Sequence, residues 1–134
     1  MKRTLLLTLA LVAPIGVVQA KCKQIDAEGT WNSYQAAFVA PTQKDEHVGV
    51  CTLKVDRKGV VDQSMSSCSF ITFNVGPIPT GGTVTVDPSC NVVLELTLGG
   101  FFGNTTMSTT KNTLSGFFKT KEGVSGTMNA VKVR

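Results

Sequence analysis

Beyond residue 20 the apolar positions fall in short runs that alternate with polar ones, and helical spacing is nearly absent. The runs are rich in Val, Thr and Phe, and Gly, Pro, Asn and Asp separate them. This pattern predicts an all-β chain. It places eight strands at 29–39, 46–56, 60–75, 82–87, 91–99, 103–110, 113–120 and 123–133, with residues 21–28 as an extended N-terminal arm.

Turn chemistry sets the registers. Arg57-Lys58-Gly59 and Lys121-Glu122-Gly123 each read as a three-residue hairpin loop ending on a left-handed glycine. The first puts Val55 opposite Val61. The second puts Phe118 opposite Gly126, Gly116 opposite Met128 and Leu114 opposite Ala130. Lys111-Asn112, read as a two-residue turn, pairs Met107 with Gly116 and Thr105 with Phe118. Together these registers gather Met107, Leu114, Phe118, Val124, Met128 and Ala130 on one face, which a one-residue slip would scatter. Gly116 and Gly126 then make room for large neighbouring side chains. Around Asp87-Pro88-Ser89-Cys90-Asn91, Val86 faces Val92 and Val84 faces Leu94, and the stripe runs on to Leu96 and Leu98.

Eight antiparallel strands with short connections have two economical solutions. One is an up-and-down meander closing into a small barrel, which removes exposed sheet edges. The alternative is a β-sandwich, which usually needs longer crossings. The barrel is the favoured expectation.

Residues 1–20 do not belong to this pattern. Met1-Lys2-Arg3 is positive, Thr4 to Val18 is apolar, and Val18-Gln19-Ala20 suits signal peptidase. The apolar run is too short to span a bilayer, and Pro14 and Gly16 interrupt it. Lys21 separates the expected cut from Cys22, which disfavours lipid attachment. The expected product is a single barrel domain, 21–134, exported to a periplasmic or extracellular space, with no transmembrane segment.

Removing residues 1–20 from the 134 leaves 114. It also takes Lys2 and Arg3 from the 13 basic residues, so 11 stand against 9 acidic ones, for a net charge of +2. Basic residues are scattered, which argues against a nucleic-acid partner. Cys22, Cys51, Cys68 and Cys90 all survive processing and read as two disulfides in an oxidising compartment. They lack C-x-x-C spacing, and His47 is the only histidine, so neither a zinc site nor any other cofactor is expected. Cys51 with Cys68 looks natural by sequence distance. The Arg57-Lys58-Gly59 register, however, sets Cys51 opposite Met65 with Cys68 on the other face, so that bridge would need a bulge. Folding back through Gly76-Pro77-Ile78-Pro79 brings Cys68 toward Cys90. The favoured pairing is therefore Cys68–Cys90 with Cys22–Cys51.

Gly29-Thr30-Trp31 on the first strand, followed by the eight-strand meander, resembles the calycin-like small barrels, the group of lipocalins and avidins. The resemblance covers the layout of residues 29–133, and its one motif is that tripeptide. The expected function is that of an exported noncatalytic binding protein, on the barrel layout and its supply of aromatic residues. Trp31 is the sole tryptophan, unlike the several that avidins stack on biotin, and no lipocalin-type helix is evident. Barrel-shaped bacterial metalloprotease inhibitors of similar size insert an N-terminal arm into their target, and residues 21–28 are placed to do the same.

Catalytic signals are weak. His47 lies beside Asp45 and Glu46 in an expected solvated loop, and the serine cluster around Ser64–Ser69 lacks a Gly-x-Ser-x-Gly elbow. No helix follows Gly81-Gly82 or Gly99-Gly100 to make a phosphate loop. An enzyme is not expected. Asn104-Thr105-Thr106 fits an N-glycosylation sequon, which matters in a eukaryotic secretory pathway. The leading expectation is a small apolar ligand in the barrel, bound by Trp31, Tyr34, Phe73, Phe101, Phe102 and Phe118. Against it stands the reading that the aromatics simply fill the barrel. The rival function is a protein-interaction module, such as a protease inhibitor or a surface-associated component.

Overall fold

The computed structural model describes residues 21–39, 48–70 and 75–133. Ten antiparallel strands run through the described residues. They are β1 (Gly29–Val39), β2 (Val48–Val55), β3 (Val60–Val61), β4 (Ser67–Phe70), β5 (Val75–Pro79), β6 (Gly82–Val86), β7 (Asn91–Leu96), β8 (Phe101–Met107), β9 (Thr113–Lys119) and β10 (Ser125–Val133). Short 3₁₀ turns occupy Gln24–Ala27 and Leu98–Gly100. The ladder order is β1-β10-β9-β8-β7-β6-β3-β2, and β1 pairs back onto β2. Eight staves thus close an antiparallel barrel, and the sandwich alternative is not adopted. β4 pairs with another part of β2 and carries β5 at the end of the sheet.

The glycine-ended loops form as their chemistry requires. Gly59 and Gly123 take φ of 87° and 86°. Val55 pairs with Val61, Phe118 with Gly126, Gly116 with Met128, and Leu114 with Ala130. Val86 meets Val92 and Val84 meets Leu94. Met107, Leu114, Phe118, Val124, Met128 and Ala130 are all buried.

The Lys111-Asn112 turn is longer than expected. The Ser108 N–H donates to the Thr113 carbonyl, so residues 109–112 form the loop, with Lys111 at a positive φ of 59°. Met107 therefore pairs with Leu114 and Thr105 with Gly116. The slip is two residues, and an even slip leaves every side chain on its face. The glycines also act differently from the expectation. A Cβ on Gly116 would strike the Asn104 carbonyl, and one on Gly126 the Ala36 carbonyl. Both permit close approach of neighbouring backbone. Gly103 makes the room for methionine, since a Cβ there would lie 2.7 Å from Met128 Sδ.

The expected strand 60–75 is broken by a turn. The Asp62 carboxylate accepts the Ser64 N–H at 2.9 Å and its hydroxyl at 2.6 Å, and the Met65 N–H closes onto the Asp62 carbonyl at 3.2 Å. Extending the Val55–Val61 register would bring Cys51 to Met65, but β4 presents Cys68 to Cys51, three residues further on. An odd offset reverses the face, so both sulfurs point inward. The disulfides are accordingly Cys51–Cys68 and Cys22–Cys90. The expected Cys68–Cys90 and Cys22–Cys51 pairs do not form, because the Asp62 turn breaks strand 60–75 and brings Cys68 onto the face of Cys51. Pro77 and Pro79, expected in a bend, lie in the terminal strand β5, where missing donors blunt an edge.

The N-terminal arm is not extended. Gln24 reads β6 like a short strand: its Nε2 donates to the Val84 carbonyl at 2.7 Å and its Oε1 accepts the Val86 N–H at 3.0 Å. Cys22 is bonded to Cys90 in the β6–β7 turn. Ala27 enters the core, and its carbonyl accepts the Trp31 indole N–H at 2.8 Å. Lys132 Nζ sits 4.9 Å from the Trp31 ring centre and donates to the Asp26 carbonyl at 2.8 Å. Burial pushes its ammonium pKa below the usual lysine value. The Asp26 carboxylate accepts Lys111 at 2.8 Å, which holds its pKa below the usual carboxylate range.

Candidate functional site

Five of the six residues expected to share one site are described, and the sheet divides them. Trp31, Phe101 and Phe118 point inward and are buried. Phe101 and Phe118 stack with ring centres 4.9 Å apart, while Trp31 is held against the arm. Tyr34 and Phe102 point outward, one exposed and one half-buried. Phe73 lies outside the described residues, as do His47, Asp45, Glu46 and residues 1–20.

The interior is filled. Trp31, Leu53, Val92, Leu94, Met107 and Met128 surround a residual cavity of about 20 Å³. That is room for no more than about one water-sized probe. Ser33 Oγ, fully buried at its wall, has no hydrogen-bond partner among the described residues. Small-ligand pockets usually span about 300–1,000 Å³.

The outer wall differs. Ladder registers align outward side chains into rows across the strands. Ala36, Thr127, Phe117, Asn104 and Val93 form one row across β1, β10, β9, β8 and β7. Tyr34, Asn129, Ser115, Thr106 and Asn91 form the next. Asn32, Val131 and Thr113 form a third. None of these three rows contains a charged side chain. The charged margin is the row of Ser125, Lys119, Phe102 and Glu95, where Lys119 Nζ lies 5.4 Å from the Phe102 ring centre.

Phe117 is 69% exposed and Phe38 71%, far above what an ordinary solvated sheet asks of aromatic rings. Both line an open groove of about 460 Å³ with Phe102, Asn104, Lys119 and Ser125. Phe102 is also a wall of a second groove of about 590 Å³, whose floor includes Glu95, Thr97 and Lys121. The amides of Asn104 and Asn129 make no side-chain hydrogen bond among the described residues.

Phe38 and Phe117 are not among the six aromatic residues expected to bind a ligand. Their signal was parity. Phe117 alternates with Phe118 along one strand, so a register that buries Phe118 must expose Phe117. The polar chemistry elsewhere is largely structural. Asp56 accepts the Lys58 and Val60 N–H groups, and Asp87 accepts Asn91 through backbone and side chain. All four cysteines are in disulfides. No protein-family model and no curated protein sequence matches the chain.

Proposed function

We propose that the protein is an exported, noncatalytic binding module of calycin-like architecture that engages its partner through the outer wall of the barrel. The observation that carries this reading is the contrast in available space. The interior leaves about 20 Å³, while an open groove of about 460 Å³ lies outside under two strongly exposed phenylalanines. A carrier of an apolar ligand needs an enclosed volume that this packing does not supply. The apolar outer patch is of the kind that marks interaction surfaces on soluble proteins.

Export rests on the signal-like residues 1–20 and on two disulfides, which persist in oxidising compartments. No helix among the described residues is long and apolar enough to cross a membrane. The noncatalytic reading rests on Asp26, Asp56, Asp62 and Asp87 being engaged in turns and ion pairing rather than converging on one point. The arm-insertion mode of the protease-inhibitor reading is disfavoured by the bonds that hold Cys22, Gln24 and Asp26 under the barrel.

The test is native mass spectrometry of the processed, oxidised protein. The expected mass is that of the polypeptide alone. A retained apolar molecule, released by enlarging Met128 but not by changing Phe117, would sink the proposal.

A further inference from the structure

Resting on that reading, we infer that the uncharged outer wall of β1, β10, β9 and β8 binds a neutral, polyhydroxylated chain, a polysaccharide carrying no ionised groups. Solvated protein surfaces carry about 25–35% Lys, Arg, Glu and Asp. The three rows centred on Thr127, Asn129 and Val131 carry none. An anionic lipid or nucleic-acid surface demands clustered cations, and Lys119 is the one cation among the described residues that line the Phe38–Phe117 groove. A salt-bridging protein partner would find no complement within these three rows.

Exposed aromatic rings and uncharged polar groups stand where charge is missing. Tyr34, Phe38 and Phe117 project from the wall, 51%, 71% and 69% exposed. Tyr34 and Phe117 sit two strands and one row apart, about 12 Å between their backbone positions by ordinary strand spacing and rise. Aromatic faces at that separation can stack against the C–H faces of sugar rings along an extended chain. Asn104, Asn129, Ser115 and Thr106 lie beside and between them. Amides and hydroxyls both donate and accept, which matches sugar hydroxyls without needing a charge. A purely apolar partner would leave these groups desolvated and unpaired. The open groove under Phe38 and Phe117 suits a chain laid along the surface more than a compact ligand.

The experiment is affinity electrophoresis of the processed protein in native gels containing hydroxyethylcellulose, xylan, galactomannan or dextran. At least one polymer should retard migration, and raising the salt should leave that retardation unchanged. Phe117→Ser and Tyr34→Ser should each weaken it roughly tenfold, as loss of an aromatic anchor does. Met65→Ser removes an exposed apolar side chain from the β3–β4 turn and should change nothing. Unaltered thermal midpoints show that the variants fold. Migration indifferent to all four polymers, or retardation that salt abolishes, overturns the inference. Sedimentation then separates the two readings. A dimer that dissociates on Phe117→Ser shows the wall covering itself, so the saccharide inference fails while outer-wall docking stands. A monomer that retains an apolar molecule removes both.

Discussion

Phe117 and Phe118 are consecutive residues of β9 with opposite fates. Phe118 is 3% exposed and stacked on Phe101, and Phe117 is 69% exposed beside an open groove. Phe101 and Phe102 divide in the same way across β8. One wall therefore has an inner surface where aromatic rings have consumed the available volume and an outer surface where they have not. The supply of aromatic residues does not identify a cavity. In a small barrel the inward half of that supply is the filling, and only the outward half is free to meet another molecule.

Truncating the inner ring should break the fold side of this contrast most strongly. Phe118→Ala is expected to cost about 3–5 kcal/mol in denaturant unfolding, through lost burial and the cavity left against Phe101. A cost near zero would mean that the interior is not close-packed. Next come the bridges. Replacing Cys22 and Cys90 by Ala opens a 68-residue separation and should cost about 4 kcal/mol, against about 3 kcal/mol for Cys51 and Cys68 with their separation of 17. Equal losses would place the arm in contact with the barrel even without its bridge. Gly126→Ala should cost about 1–3 kcal/mol, because the new methyl meets the Ala36 carbonyl and neighbouring strands must part.

Acid should act on the turns and the base, not on the outer wall. Hydrogen bonding to Ser64 and to Asn91 holds the Asp62 and Asp87 carboxyls below the usual 3.8, and Lys111 does so for Asp26. These groups bind protons less readily when folded. Their stabilisation is therefore complete above the unfolded value and is lost as pH falls through the lowered folded one. Stability measured against pH should be flat from these groups above about pH 5 and should decline below about pH 4. Docking on the uncharged rows should not follow that decline while the barrel stays folded. The smallest effect on stability is expected from Phe117→Ser, within about 0.5 kcal/mol, since the side chain leaves no hole behind. A large loss there would show that the ring is part of the packed structure after all.

Local chemistry made much of the fold legible. Gly59 and Gly123 announced their loops, and alternation along β7 and β10 announced the buried face. Misreadings arose where one local feature was propagated too far. The four-residue loop before Thr113 moved a register by two and did no harm to the faces. The Asp62 turn moved another by three and reversed both disulfides. The 3₁₀ turn in the arm had no apolar periodicity to reveal it, because it is specified by Gln24 bonding to β6, 60 residues away. The outer site was half legible. The parity of Phe117 followed from that of Phe118, but its company with Phe38 required the pairing of β1 with β10.

By itself, the order of residues determined the strand class, most hairpins and the inward stripe, because a period of two and the φ preferences of glycine are local properties of the chain. Tertiary structure alone decided that the stripe fills the barrel to within about 20 Å³, which cysteines meet, and that the uncharged positions of separate strands lie side by side. Volume, sulfur contact and surface continuity depend on closure and register between strands distant in sequence, and one odd offset in a turn is enough to change them.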